Sequence, residues 1–121
     1  MTRYDHSLVW IYNNALFILV WQHFFADFVC QTSWMALGKS KSNKPLFIHI
    51  AVYTSTFFFW GAQFAIINGF THLVIDYFTS RFTSKMWATG NHRMFWIGIG
   101  FDQALHVTIL LWTAKYLLLS F

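Results

Sequence analysis

The chain alternates long apolar runs with short polar links. Leu8 to about Met35 contains no basic residue, and Gly38 to Pro45 (GKSKSNKP) is polar. Leu46 to Phe82 is almost continuously apolar, Met86 to Arg93 (MWATGNHR) is polar again, and Met94 to Phe121 is the last apolar run. A bilayer crossing needs about 20 apolar residues, so 46–82 is too long for one crossing and must turn back. Trp60-Gly61-Ala62-Gln63 and Asn68-Gly69 compete for that turn. The first is preferred, because the second strands Arg81 and Lys85 inside a short third helix. The preference puts Gly69 inside a helix at a cost of about 1 kcal/mol. It predicts one domain over 1–121, with helices at about 8–35, 46–59, 63–85 and 94–120. Pro45 suits a first helical turn.

Composition turns this pattern into a membrane reading. The 121 residues are 57% hydrophobic, 22% aromatic and 10% charged, against about 25% charged in soluble domains. The aromatic load excludes disorder, and one cysteine excludes a disulfide framework or a multi-cysteine zinc site. The first run is too long for a cleaved signal peptide and carries His23 and Asp27. The expected class is all-α, a polytopic membrane protein built as a four-helix transmembrane bundle. Lys39, Lys41 and Lys44 in one link, and Arg81, Lys85 and Arg93 around another, put both basic links on the cytoplasmic side. A multi-pass protein of the bacterial inner membrane with both termini outside follows. Trp10, Trp60 and Trp112 fall near the outer boundary and Trp34, Trp87 and Trp96 near the inner one. The net charge of +4 suits loops against anionic headgroups. The cations lack the stripe of a nucleic-acid surface, so the lipid bilayer is the expected partner and nucleic acid is not.

The acids are all aspartates, Asp5, Asp27, Asp76 and Asp102, and the last three lie in apolar runs. Three aspartates at helix centres cost about 7–10 kcal/mol on insertion scales, which points to function rather than anchoring. The spacing sharpens the inference. His23 and Asp27 are four apart, as are His72 and Asp76, while Asp102 and His106 repeat the spacing in reverse order. Residues four apart share a helix face. The fourth helix runs opposite to the first and third, so reversal keeps like residues level. At about 1.5 Å per residue the carboxylates sit roughly 13 Å from the cytoplasmic helix ends and the imidazoles roughly 19 Å. His49 and Tyr53 add to these levels from the second helix, Gln31 lies one turn from Asp27, and Gln103 is beside Asp102.

Inward-facing His and carboxylate side chains on facing helices are how bundles hold metals. His23, Asp27, His49, His72, Asp76, Asp102 and His106 are the candidate ligands. Seven exceed one tetrahedral shell and leave room for one ion with supporting groups or for two. Imidazole with carboxylate suits a divalent transition metal, zinc first, with iron or manganese also fitting. Blander readings stand beside each residue. A single membrane histidine is usually hydrogen-bonded to a neighbouring helix, His49 could be a polar residue at a helix start, and Tyr53 an ordinary aromatic with its hydroxyl paired. Lys39, Arg81 and Arg93 read as headgroup contacts, with Arg81 also able to hold a phosphate. His6 and His92 are expected in solvent, Cys30 as small apolar packing, and Phe57 to Phe59 as lipid or core contact.

On these residues the chain resembles a family of small integral membrane proteins of bacteria and phages, catalogued as domain of unknown function 3307. The matching pieces are His23-x-x-x-Asp27-x-x-x-Gln31, His49-x-x-x-Tyr53, Thr71-His72-x-x-x-Asp76-Tyr77 and Gly100-Phe101-Asp102-Gln103-x-x-His106. That resemblance implies no activity. More distantly, Thr71-His72-Leu73-Val74-Ile75-Asp76 with Thr79 is similar to the membrane-bound metal-dependent hydrolases. Those inner-membrane proteins are distantly similar to zinc-dependent phospholipase C and single-strand nucleases, and the likeness implies hydrolytic metal chemistry.

The expected function is therefore a metal-dependent hydrolase acting on a phosphate or ester group at the cytoplasmic leaflet. Gln31, Tyr53 and Gln103 would serve the reacting groups, while Lys39 and Arg81 would hold a lipid headgroup or phosphate. The main alternative is a proton or metal-ion transporter or sensor using the same cluster as a relay, which at four helices would need homo-oligomers. Haem held by two level histidines is a third reading and leaves the carboxylates unexplained.

Overall fold

A computed structural model describes residues 10, 11 and 13–118. The expected start of the first helix at Leu8 lies outside them, as do Arg3, Asp5, His6 and residues 119–121. Among the described residues the chain is helical without strands. Helix α1 covers Ala15–Phe24 and runs into a π-helical turn, Phe25–Val29. A short α2 follows at Ser33–Gly38, then α3 at Asn43–Thr56, a 3-10 turn at Phe58–Trp60, α4 at Ala62–Ala88 and α5 at His92–Leu117.

The first predicted helix is thus not one rod. The Cys30 amide donates to the Phe25 carbonyl at 2.8 Å, five residues back, and widens the last turn. Cys30 to Thr32 then leave the helix. Thr32 is extended, and its hydroxyl accepts from the Met35 amide at 3.3 Å. That local cap lets a second, short helix start where the sequence suggested continuation. Cys30 is exposed at this bend rather than packed.

The turn between the second and third predicted helices falls at Gly61, whose φ of 114° and ψ of 149° suit only glycine. Gly69 is inside α4 because a methyl group there would run into Thr54 on α3. Trp60 is not at an exposed interface: it is 8% exposed, and its indole donates to Gln22 Oε1 at 2.8 Å. The Gln22 amide in turn donates to the Thr56 carbonyl, so the turn is tied to α1.

Each long helix buries a stripe at intervals of three or four. In α5 the stripe is Gly98, Asp102, His106, Leu110 and Ala114. In α1 it is Ala15, Leu19 and His23, continued by Ala26 and Asp27 in the π turn. In α3 it includes Leu46, His49, Ile50 and Tyr53, and in α4 it runs from Phe64 through His72 and Asp76 to Thr83. Helix α4 packs along α5 and α3, while α1 packs on α5 and its π turn on α3, closing a four-helix ring. One end of the core is apolar: Leu19, Phe57, Phe64, Ala65, Leu110 and Ala114 are fully buried there. The other end is polar, and most of the large apolar side chains left outside the core point outward, Phe17, Trp21, Phe70, Phe78 and Phe101 among them.

Among the described residues one helix, α5, is long and apolar enough to cross a membrane by itself. The reason is local. Helix α3 has only 14 residues, and the 27-residue α4 carries Asp76, Arg81 and Lys85.

Candidate metal centre

Four atoms from two helices, α3 and α4, and from the π turn converge at the polar end of the core. His49 Nε2 is 3.2 Å from His72 Nε2, 3.1 Å from Asp27 Oδ1 and 3.3 Å from Asp76 Oδ2. His72 Nε2 is 3.4 Å from Asp27 Oδ1 and 3.2 Å from Asp76 Oδ2. All four residues are buried, and their ligand atoms lie within 4.8 Å of one another. A tetrahedral ion with ligands at about 2.0 Å sets those ligands about 3.3 Å apart, which is the spacing of every contact just given. Protons alone satisfy the cluster poorly. Two neutral imidazoles supply at most two N–H groups at these nitrogens, fewer than the close approaches. Asp27 Oδ1 is buried without a hydrogen bond despite His49 at 3.1 Å.

Around this core the supporting groups are specific. Gln103 on α5 donates from its amide nitrogen to Asp27 Oδ2 at 2.9 Å and to Asp102 Oδ2 at 3.1 Å. Its carbonyl oxygen therefore faces His23 Nε2 at 2.8 Å, and a carbonyl can only accept. That makes Nε2 the protonated nitrogen of His23 and leaves Nδ1 to accept from the Tyr53 hydroxyl at 3.0 Å. Both nitrogens of His23 are engaged. The Thr79 hydroxyl is shared between the Ile75 carbonyl and Asp102 Oδ1. The His106 ring stacks on His72 at 3.9 Å with an interplanar angle of 8°.

The cluster opens on a cleft of about 570 Å³ at the end of the molecule that carries the polar links. Asp27, Gln31, Lys39, Asp76, Asp102 and Gln103 line it, and Thr79, Ser80, Thr83 and Ser84 continue a hydroxyl-rich wall along α4. Phe28, Leu37, Trp87, Phe95 and Trp96 give it an apolar flank. Lys39 Nζ is 3.1 Å from Asp76 Oδ2. Burial works against the charge of this ammonium, but Asp76 and then Asp27 outweigh it and hold its pKa above the ordinary lysine value.

The structure thus gathers His23, Asp27, His49, His72, Asp76, Asp102 and His106 at one place. Of the residues expected to serve the reacting groups, Gln31 and Gln103 line the cleft, whereas Tyr53 is fully buried behind His23. Lys39 and Arg81, both expected to hold a headgroup or phosphate, lie in different places. Lys39 turns inward to Asp76, while Arg81 stacks on the Tyr77 ring at 3.8 Å and bonds Asn43 at 3.3 Å, outside the cleft lining. The π turn and the break after it, which a helical reading of the first run does not foresee, send α2 back so that Lys39 reaches α4. Thr79 was legible only through the resemblance to the membrane-bound hydrolases, and Ser80 and Thr83 were legible only as polar residues continuing the Asp76 face at helical spacing.

The family model described as "Protein of unknown function (DUF3307)" matches residues 15–120. The chain belongs to that family. The match covers helices α1 to α5 and all the residues that meet at the cluster. No curated protein matches the chain. No solved structure matches it either.

Proposed function

We propose that the chain is a membrane-embedded metal-binding protein and that the metal serves hydrolysis of a phosphate or ester group at the cytoplasmic leaflet. The observation that carries this is the spacing of His49, His72, Asp27 and Asp76, with five ligand-to-ligand distances between 3.1 and 3.4 Å. Two imidazoles and two carboxylates suit zinc first, and iron or manganese as well. Such an ion lowers the pKa of bound water towards about 7 and polarises a phosphoryl or carbonyl oxygen. The chain's own residues do the rest. Gln103 and His23 hold Asp27 in place, Thr79 and Gln103 orient Asp102 into the cleft, and Lys39 offers a cation to an entering anion. Gln31, whose Oε1 is buried without a partner, stands ready to bind a substrate group.

The membrane part of the reading is supported by the buried aspartates and histidines together with the many large aromatics left facing outward. On this reading the chain is a polytopic four-helix bundle of the bacterial inner membrane with the cleft facing the cytoplasm. Hydrolysis is favoured over ion transport by the apolar plug of Leu19, Phe57, Phe64 and Leu110 beyond the histidines, where no charged side chain is buried among the described residues.

Elemental analysis of detergent-purified protein tests the metal, with at least one zinc, iron or manganese per chain expected. Absence of any stoichiometric transition metal, together with wild-type stability after Asp27→Asn, Asp76→Asn and Asp102→Asn, would sink the proposal. For the chemistry, the metal-loaded protein is expected to cleave phosphate or carboxylic esters in mixed micelles, and Asp76→Asn to abolish cleavage. Ion flux into proteoliposomes, lost in Asp76→Asn without any hydrolysis in the wild type, would replace the hydrolase by the transporter.

A further inference from the structure

We infer that Asp76, Asp102 and His106 hold a second divalent cation beside the first, with Asp76 bridging the two. This rests on the reading of His49, His72, Asp27 and Asp76 as the first metal site. Asp76 uses Oδ2 toward His49, His72 and Lys39. Its other oxygen, Oδ1, faces His106 Nε2 at 3.8 Å. On the opposite edge of the same imidazole, Nδ1 is 3.4 Å from Asp102 Oδ2. One ligand atom from each of the three residues falls within 4.8 Å of the others.

Independent of that proximity is the state of His106. It is 3% exposed, yet neither ring nitrogen makes a hydrogen bond. A buried imidazole with both nitrogens unpaired is costly, because it sheds water and gains nothing in return. A cation at one nitrogen gives the lone pair a partner and so lifts about half of that cost, leaving the N–H on the other edge directed at a carboxylate. The neighbouring histidine does not compete for such an ion, since His23 is held on both sides by Tyr53 and Gln103. Asp76 and Asp102 both line the cleft, so an ion between them is reached from it and keeps positions open to water and substrate. A carboxylate linking two ions about 3.5–4 Å apart is a common arrangement for displacement at phosphorus.

Charge orders the two sites. Three aspartates and Lys39 sum to −2 with neutral imidazoles, so the first divalent ion neutralises the cluster. The second leaves an excess of +2 that an anion entering the cleft balances. The second ion is therefore the weaker one, and inorganic phosphate tightens it.

The test is titration of the full chain, purified in detergent and stripped with chelator, with Mn2+ followed by electron paramagnetic resonance. Two equivalents are expected, the second giving the exchange-coupled signal of a bridged pair in place of the isolated six-line spectrum. Phosphate lowers the second dissociation constant by tenfold or more. His106→Ala and Asp102→Asn each bind one equivalent and keep the six-line spectrum. Wild-type protein that saturates at one uncoupled equivalent overturns the second site and leaves the first standing. No bound Mn2+ at all overturns both. The wild-type spectrum decides even where a variant does not fold, and a coupled pair surviving in His106→Ala would exclude this ligand set.

Discussion

At the scale of single residues, the two histidines first read alike separate sharply. His23 and His72 share the same spacing to an aspartate, but His72 brings Nε2 within 3.4 Å of both Asp27 and Asp76, while His23 Nε2 stays 3.8 Å from Asp27 and its nitrogens bond Tyr53 and Gln103. His49, which the sequence left even between ligand and polar helix start, stands at the centre of the closest contacts. Consequently His49→Ala and His23→Ala should differ. Removing an inner ligand should abolish tight zinc binding, whereas removing a group that orients a ligand should weaken it about 10- to 100-fold. Competition against a chromophoric chelator measures both, and equal losses would refute the distinction. Spacing could not reveal it, because both residues occupy the same face. What separates them is Gln103, which comes from the far end of the chain and fixes the His23 tautomer.

At the scale of the elements, most boundaries were legible because helix breakers mark them. Gly61 supplies a positive φ, and Pro45 sits in the first turn of α3. The break after Val29 was not legible, since no glycine or proline marks it. It arises from a π turn and a threonine cap, which depend on α3 packing against the turn. Gly69 was legible only as a cost, and its reason is tertiary: α3 and α4 approach so closely that Thr54 occupies the space of a methyl group. Gly69→Ala should therefore destabilise the protein by about 1–3 kcal/mol, the range for overpacking, although alanine is the better helix former. Thr54→Ala in the same chain should recover part of that loss. Thermal unfolding in detergent reports both, and a Gly69→Ala variant as stable as wild type would remove close packing as the reason for the glycine.

At the scale of the whole molecule, the interior is apolar at one end and holds His and Asp side chains at the other, while many large aromatics face outward, and the proposed membrane reading makes a topological prediction. With Cys30 replaced by Ser, single cysteines at Ser40→Cys and Thr89→Cys should react with an impermeant thiol reagent only in inverted membrane vesicles. Gln63→Cys, beside the Gly61 turn, should react only in intact cells. Labelling of all three from one side would rule out four crossings. By itself the sequence determined that the chain is helical, where most helices stop and which histidines and aspartates share a face, because periodicity and helix breakers are local properties written along the chain. Tertiary structure alone decided which of those groups touch, that Lys39 rather than Arg81 enters the cleft, and that one end of the bundle is plugged while the other is open. Those outcomes turn on how helices far apart in sequence pack together, and helical spacing fixes the direction in which a side chain points but not the partner it meets.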